Sequence, residues 1–182
     1  MQENKIENRN YLSPTGFKLS LYRSPGVAFF CNQANIPSIN LGIAEQPTYL
    51  RNIPIPGDKI DFGDLTIRFL VDEDLKNYME IQKWIRGLGY PESLDQFSNL
   101  EKNFKTFGIL NESGDNTRSD GTLQVLNNNM LPSFQIFFND LFPYDLSTLT
   151  FDATQTDQEY FTADVSFKYT IYNITDLEGN NL

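Results

Sequence analysis

The sequence predicts a mainly β protein, an antiparallel β-sandwich with one packed α-helix at about residues 73–87 and a long projecting hairpin. Three patterns predict it. Leu65, Ile67, Phe69 and Val71 take one face of a strand while Asp64, Thr66 and Arg68 take the other, the period-two alternation of a half-buried strand. Tyr160 to Ile174 repeats that alternation at greater length, with Phe161, Ala163, Val165, Phe167, Tyr169 and Ile171 opposite Thr162, Asp164, Ser166, Lys168 and Thr170. Only between Leu75 and Leu88 does the spacing clearly change to steps of three and four, through Tyr78, Gln82 and Ile85 with Met79 and Ile81 beside them. A helix of about four turns results, apolar on the side that packs against a sheet.

The elements follow in chain order. Residues 1–12 are polar and read as a loose N-terminal arm, ended by the turn Ser13-Pro14-Thr15-Gly16. Phe17, Leu19 and Leu21 alternate with Lys18, Ser20 and Tyr22, and Ser24-Pro25-Gly26 turns the chain into a second strand, Val27 to Ala34, giving a predicted hairpin. Ile36-Pro37-Ser38 breaks that pairing. From Glu45 to Asp61 the prolines Pro47, Pro54 and Pro56 mark an edge hairpin, with its tip at Pro56-Gly57-Asp58, Thr48 to Ile55 as the outgoing arm and Ile60 to Val71 as the return.

Asp72-Glu73-Asp74 stand where an N-cap and a first helical turn favour carboxylates, and Gly87 and Gly89 end the helix. A divalent metal site is the competing reading of the three acids, but adjacent acids at a helix start point in different directions. Residues 91–97 suggest one short helical turn. Residues 111–121 are a surface loop by composition, and a calcium loop beginning at Asp115 fails because Asp120 stands where glycine is required. Strands are predicted at Thr122–Leu126, Ser133–Phe138, Leu149–Thr154 and Tyr160–Ile174, followed by a polar tail at residues 175–182.

At 182 residues, with nothing that reads as an interdomain linker, one domain is expected. Net charge is −10, which argues against a free-standing nucleic-acid binder and suits a surface that must not adhere to DNA. The chain has no histidine, which removes imidazole bases, the Ser-His-Asp and Cys-His arrangements and imidazole metal sites. Its single cysteine, Cys31, forms no internal disulfide and reads as a core residue of a buried strand. No apolar run approaches membrane-spanning length. No phosphate loop, dinucleotide fingerprint or cysteine metal motif is present, so no cofactor or catalytic residue is assigned.

In order along the chain, Phe29-Phe30-Cys31-Asn32-Gln33-Ala34-Asn35-Ile36-Pro37, the run Ile55 to Asp74, Asn77-Tyr78, Trp84, Leu149-Thr150-Phe151-Asp152 and Ala163 to Tyr172 resemble the tail-tube proteins of contractile-tailed bacteriophages, including their baseplate and tube-initiating relatives. The resemblance implies a sandwich closing toward a barrel, whose subunits join into sixfold rings that stack into a hollow tube. It also implies contacts with tail sheath, tape-measure and baseplate proteins, and a lumen that passes DNA without binding it specifically. The expected location is the virion tail, after assembly in the host cytoplasm. By position, the hairpin that would contact an adjoining ring is Thr48 to Phe62. Its candidate inter-subunit residues are Thr48, Tyr49, Leu50, Ile53, Ile55, Gly57, Asp58, Lys59, Ile60 and Phe62. Acids facing inward would make such a lumen repulsive to DNA. A baseplate or tail-end ring protein of the same fold is the alternative.

Two other classes stand beside it. A carbohydrate- or peptide-binding sandwich would use exposed aromatics, with Trp84 the obvious platform, although its place beside the helical stripe favours packing. A carboxylate enzyme needs two acids facing each other in a cleft. Asp152, Asp157, Glu159 and Asp164 cluster in sequence, but around a turn and on a polar strand face.

Overall fold

A computed structural model describes residues 12–89, 91–95, 117–152, 154 and 160–180. The elements are β1 (Phe17–Leu21), α1 (Pro25–Phe29), β2 (Cys31–Ala34), β3 (Ile39–Pro47), β4 (Asn52–Phe62), β5 (Leu65–Leu70), α2 (Lys76–Gly89), β6 (Ser119–Leu126), β7 (Pro132–Leu146), β8 (Thr162–Lys168) and β9 (Ile171–Thr175). Seven strands form one antiparallel sheet in the order β1-β6-β7-β8-β5-β2, with β9 also on β7. β3 and β4 pair with each other as a separate two-stranded sheet.

The large sheet bends on itself along β7. Its first half lies between β6 and β9, with Phe134 opposite Val125 and Gln135 opposite Thr175, whereas Phe142 to Leu146 pair with β8. The bend falls at Asp140, whose φ of 58° is a left-handed conformation that Asp tolerates better than bulky residues. Its amide donates to Asp120 Oδ1 at 3.0 Å. Alongside it, the chain between β8 and β9 turns at Tyr169–Thr170, and the Thr170 amide donates to the Asn139 carbonyl at 3.0 Å. Two neighbouring segments therefore change direction together, the corner geometry of a sandwich whose strands switch sheets.

Alternation decides what lies inside. Leu65 opposite Phe167, Ile67 opposite Val165 and Phe69 opposite Ala163 are buried pairs. They share one core with Leu19, Leu123 and Ile136 from the other half of the sheet. Each such large apolar side chain contributes roughly 1.5–3 kcal/mol on leaving water. Helix α2 adds Ile81 and Trp84 to that core, with the Trp84 ring 6.1 Å from Phe167 and its Nε1 donating to the Thr117 carbonyl at 3.0 Å.

Several expectations are corrected. The predicted Val27–Ala34 strand is the single turn α1 followed by the short β2, because Pro25 fits a first helical turn that needs no proline N–H. β1 pairs with β6 and β2 with β5, so the predicted hairpin between them does not form. Cys31 is half-buried at the start of β2, donates to the Gln33 carbonyl, and has its thiol pushed up to about 11 by burial. α2 begins at Lys76, after Leu75 at φ 56°, so Asp72, Glu73 and Asp74 form a turn ahead of the helix rather than its cap and first turn. The buried helical positions are Asn77, Ile81, Trp84 and Gly87, with Tyr78, Ile85 and Leu88 only partly covered; Gly87 is inside the helix and Gly89 ends it.

The long Tyr160–Ile174 strand is two strands, broken at the corner. The described part of 149–154 is not strand, and Asp152 there accepts from the Thr154 amide. Residues 119–121 belong to β6 rather than to a loop; the rest of the proposed 111–121 loop before Thr117 lies outside the described residues. So do residues 1–11 of the predicted 1–12 arm and residues 96–97 of the 91–97 turn, whose described part is helical only at Leu94 and Asp95. Among the described residues the sheet does not close into a barrel, since its end strands β1 and β2 do not pair.

Candidate assembly surface

Hairpin β3–β4 runs from Ile39 opposite Phe62 to Pro47 opposite Asn52. Its tip is Thr48–Arg51, where the Thr48 amide donates to the Arg51 carbonyl at 3.1 Å. The expected tip, Pro56-Gly57-Asp58, lies inside β4. There the register passes from Leu41–Ile60 to Ile43–Pro56, so three residues of β4 oppose Gly42 alone. Turn-forming residues serve here as a bulge. Glycine is needed at position 57, because a Cβ there would collide with the Gly42 backbone. Nor does the return arm continue to Val71: it stops at Phe62, and β5 joins the other sheet.

The root of the hairpin is fixed firmly to the corner of the sandwich. The Gly63 amide donates to the Ser38 carbonyl at 2.8 Å, closing the base. Tyr169 donates to the Gly63 carbonyl at 2.8 Å and Tyr172 to the Pro37 carbonyl at 3.1 Å, one hydroxyl for each leg. The Phe62 ring meets Tyr169 and Tyr172 at 6.1 and 5.6 Å, and Phe138 meets both tyrosines from the core. Burial beside Tyr172 and Asp64 pushes the Tyr169 hydroxyl up to about 12, so it stays a donor. Asn35 braces the other side, its Nδ2 donating to the Asp64 carbonyl and its Oδ1 accepting the Thr66 amide. The Asp64 carboxylate takes Lys168 and the Tyr144 hydroxyl, which hold it below the usual carboxylate range.

Beyond that root the hairpin is bare. Every residue of β3 is exposed, and so are all of β4 except Gly57 and Phe62, which are partly covered. Of the predicted inter-subunit residues, the structure places Thr48, Tyr49 and Leu50 at the tip, Ile53, Ile55, Gly57, Asp58, Lys59 and Ile60 on β4, and Phe62 in the root. The structure also exposes Ile39, Leu41 and Ile43 on β3, which the sequence reading did not single out; Ile43 is 74% exposed. Their signal was the alternation Ile39-Asn40-Leu41-Gly42-Ile43.

A lone two-stranded hairpin is marginal in water, and exposed aliphatics along it are an invitation to pairing. What such an arrangement can do is pair with or insert into another surface. Among the described residues no group of acids or cysteine could hold a metal, and Arg68 pairs with Asp164 across the polar face of β5 and β8. Trp84 is 2% exposed and cannot serve as a sugar platform.

No curated protein matches the chain in sequence. Solved structures do match in fold: the cap that terminates the anti-feeding prophage tube, at TM-score 0.58 and 13% identity over 97% of this chain and 98% of that one. A chain of the sheath-tube complex of an extracellular contractile injection system matches at TM-score 0.56 and 14% identity, covering 97% and 99%. A chain of the sixfold-symmetrised anti-feeding prophage baseplate matches at 0.56 and 12%, covering 89% and 92%. The family model described as phage tail tube protein matches residues 7–175, and with an open sandwich, one packed helix and a projecting hairpin behind it, the chain belongs to the phage tail tube protein family and is a structural component of a tail tube.

Proposed function

We propose that copies of this protein join side by side into sixfold rings, that the rings stack into a hollow tube, and that the β3–β4 hairpin makes contacts from copy to copy. The observation that carries the reading is a hairpin of nine- and eleven-residue strands, hydrogen-bonded to the sandwich at its root and exposed along nearly all its length. An unpartnered ribbon of that size carrying Ile43, Tyr49 and Leu50 gains stability only when another surface covers it. The tube serves as the conduit for the tape-measure protein and then DNA, enclosed by sheath and closed by baseplate and terminal rings, after assembly in the host cytoplasm.

Electron microscopy of the purified protein, with its mass in solution by light scattering, tests this. Rings of six copies or tubes are expected, and Ile43→Lys is expected to abolish them while leaving a folded monomer. A wild-type protein that stays strictly monomeric, even when supplied with preformed tail-end rings, would overturn the reading.

A further inference from the structure

A cleft of about 370 Å³ runs along β1, bounded on the other side by Pro25, Ala28, Phe29 and Cys31. It lies at the seam where the large sheet ends without closing. Its lining includes all five consecutive residues of β1, from Phe17 to Leu21. Successive residues of a strand point to opposite faces, so a cleft touching all five runs along the strand's edge rather than over either face. β1 pairs through its other edge with β6. Among the described residues the backbone along this edge has no strand partner, and it lies beside an apolar wall in which Phe29 is 82% exposed and held edge-on to Phe30 at 5.0 Å. The occupant such a site fits is an extended strand with apolar side chains.

The same chain offers one. Of the two exposed hairpin strands, β4 contains Pro54, which has no N–H and is tolerated inside a strand where that position faces an open edge, and Pro56, which borders the bulge opposite Gly42. β4's outer edge is thus short of donors. β3 has a proline only at its last residue and carries Ile39, Leu41 and Ile43. Charge agrees as well: Lys18 is the only charged residue of β1 and Glu45 the only one of β3. We infer that β3 of a neighbouring copy adds to the free edge of β1 and packs its aliphatic side chains on Phe29, converting the open seam of one subunit into a paired one. The inference rests on the tube reading and names the two surfaces that meet in it. Because the hairpin and the seam are different parts of the subunit, the contact is head-to-tail, the kind that propagates into rings or stacks rather than closing as a dimer.

The test places p-benzoylphenylalanine at position 29, an exposed aromatic site where the change leaves the core untouched. Particles are confirmed by electron microscopy, irradiated and digested, with isotope-labelled copies mixed in to identify links between chains. The expected acceptor lies within residues 39–47 of another copy. Particles linked elsewhere, or not linked between copies at all, overturn this inference and leave the tube reading standing. Absence of particles from the otherwise unmodified protein removes both. In parallel, Phe29→Asp is expected to leave the melting temperature of the isolated chain unchanged and to lower the yield of assembled particles about tenfold; an unchanged yield would also overturn it.

Discussion

Tyr172 donates its hydroxyl to the carbonyl of Pro37 across a separation of 135 residues, tying the last strand to the foot of the projecting hairpin. Both residues are buried, and among the described residues no other donor reaches that carbonyl. Tyr172→Phe keeps the ring contacts with Phe62 and Phe138 while removing the bond. The expected loss is about 1–2 kcal/mol, with faster amide exchange in the first residues of β3, measured by denaturant unfolding and hydrogen exchange.

Asn77 is the polar centre of the helix-to-sheet contact. Its Nδ2 donates to the Leu70 carbonyl at 2.8 Å, and its Oδ1 accepts the amides of Asp72 and Tyr78 at 3.2 and 2.8 Å. Asn77→Asp keeps the shape and the acceptor but loses the donor, and places a charge where the residue is 2% exposed. A loss of about 2–3 kcal/mol is expected, a fall of roughly 4–10 °C in Tm, and Asn77→Leu should not recover it. Calorimetry on the isolated chain decides.

These two residues also show what the sequence could and could not reveal. The strand faces of β5 and β8 were legible because each buried residue is apolar and its neighbours are polar. Asn77 was not, since a buried Asn reads as exposed until its three partners are known, and the buried face of α2 was accordingly placed toward Tyr78 and Gln82. The tip of the hairpin was misplaced for a related reason: Pro56-Gly57-Asp58 has turn chemistry, and only the facing Gly42 shows that it makes a bulge. The break at Tyr169–Thr170 carries no local mark at all. It is set by pairing with Asn139, thirty-one residues away from Thr170 in the chain.

Gly57→Ala should separate folding from assembly. The added methyl group collides with the Gly42 backbone, but the bulge lies in the exposed hairpin and outside the core. The expected result is a Tm within about 2 °C of wild type together with a marked loss of rings, read by thermal melts and electron microscopy.

Acid should loosen the root of the hairpin before the core. Lys168 and then the Tyr144 hydroxyl depress the Asp64 carboxyl, so the stability it contributes is complete above the ordinary carboxylate range and is lost as pH falls through its lowered folded value. Lys168 is raised by the same partner, and its share is present below the ordinary lysine value and lost as pH climbs through the raised one. Both groups are partly exposed, so the effect is modest and screened by salt. Asp64→Asn should flatten the acid limb, with hairpin amides no longer exchanging faster between about pH 5 and pH 2, as followed by NMR.

The corner at which β7 bends is also the place where the hairpin is fastened. Tyr169 sits at the turn beside Asn139 and Asp140, and it holds Gly63 while Tyr172 on the adjoining strand holds Pro37. A pull on the projecting ribbon therefore reaches more than the two strands that continue its legs, the edge strand β2 and the inner strand β5. Through the tyrosines it also reaches β9 and, by pairing, β7, which is hydrogen-bonded into both halves of the sandwich. Load entering at one narrow foot is divided among several strands rather than borne by the edge strand alone.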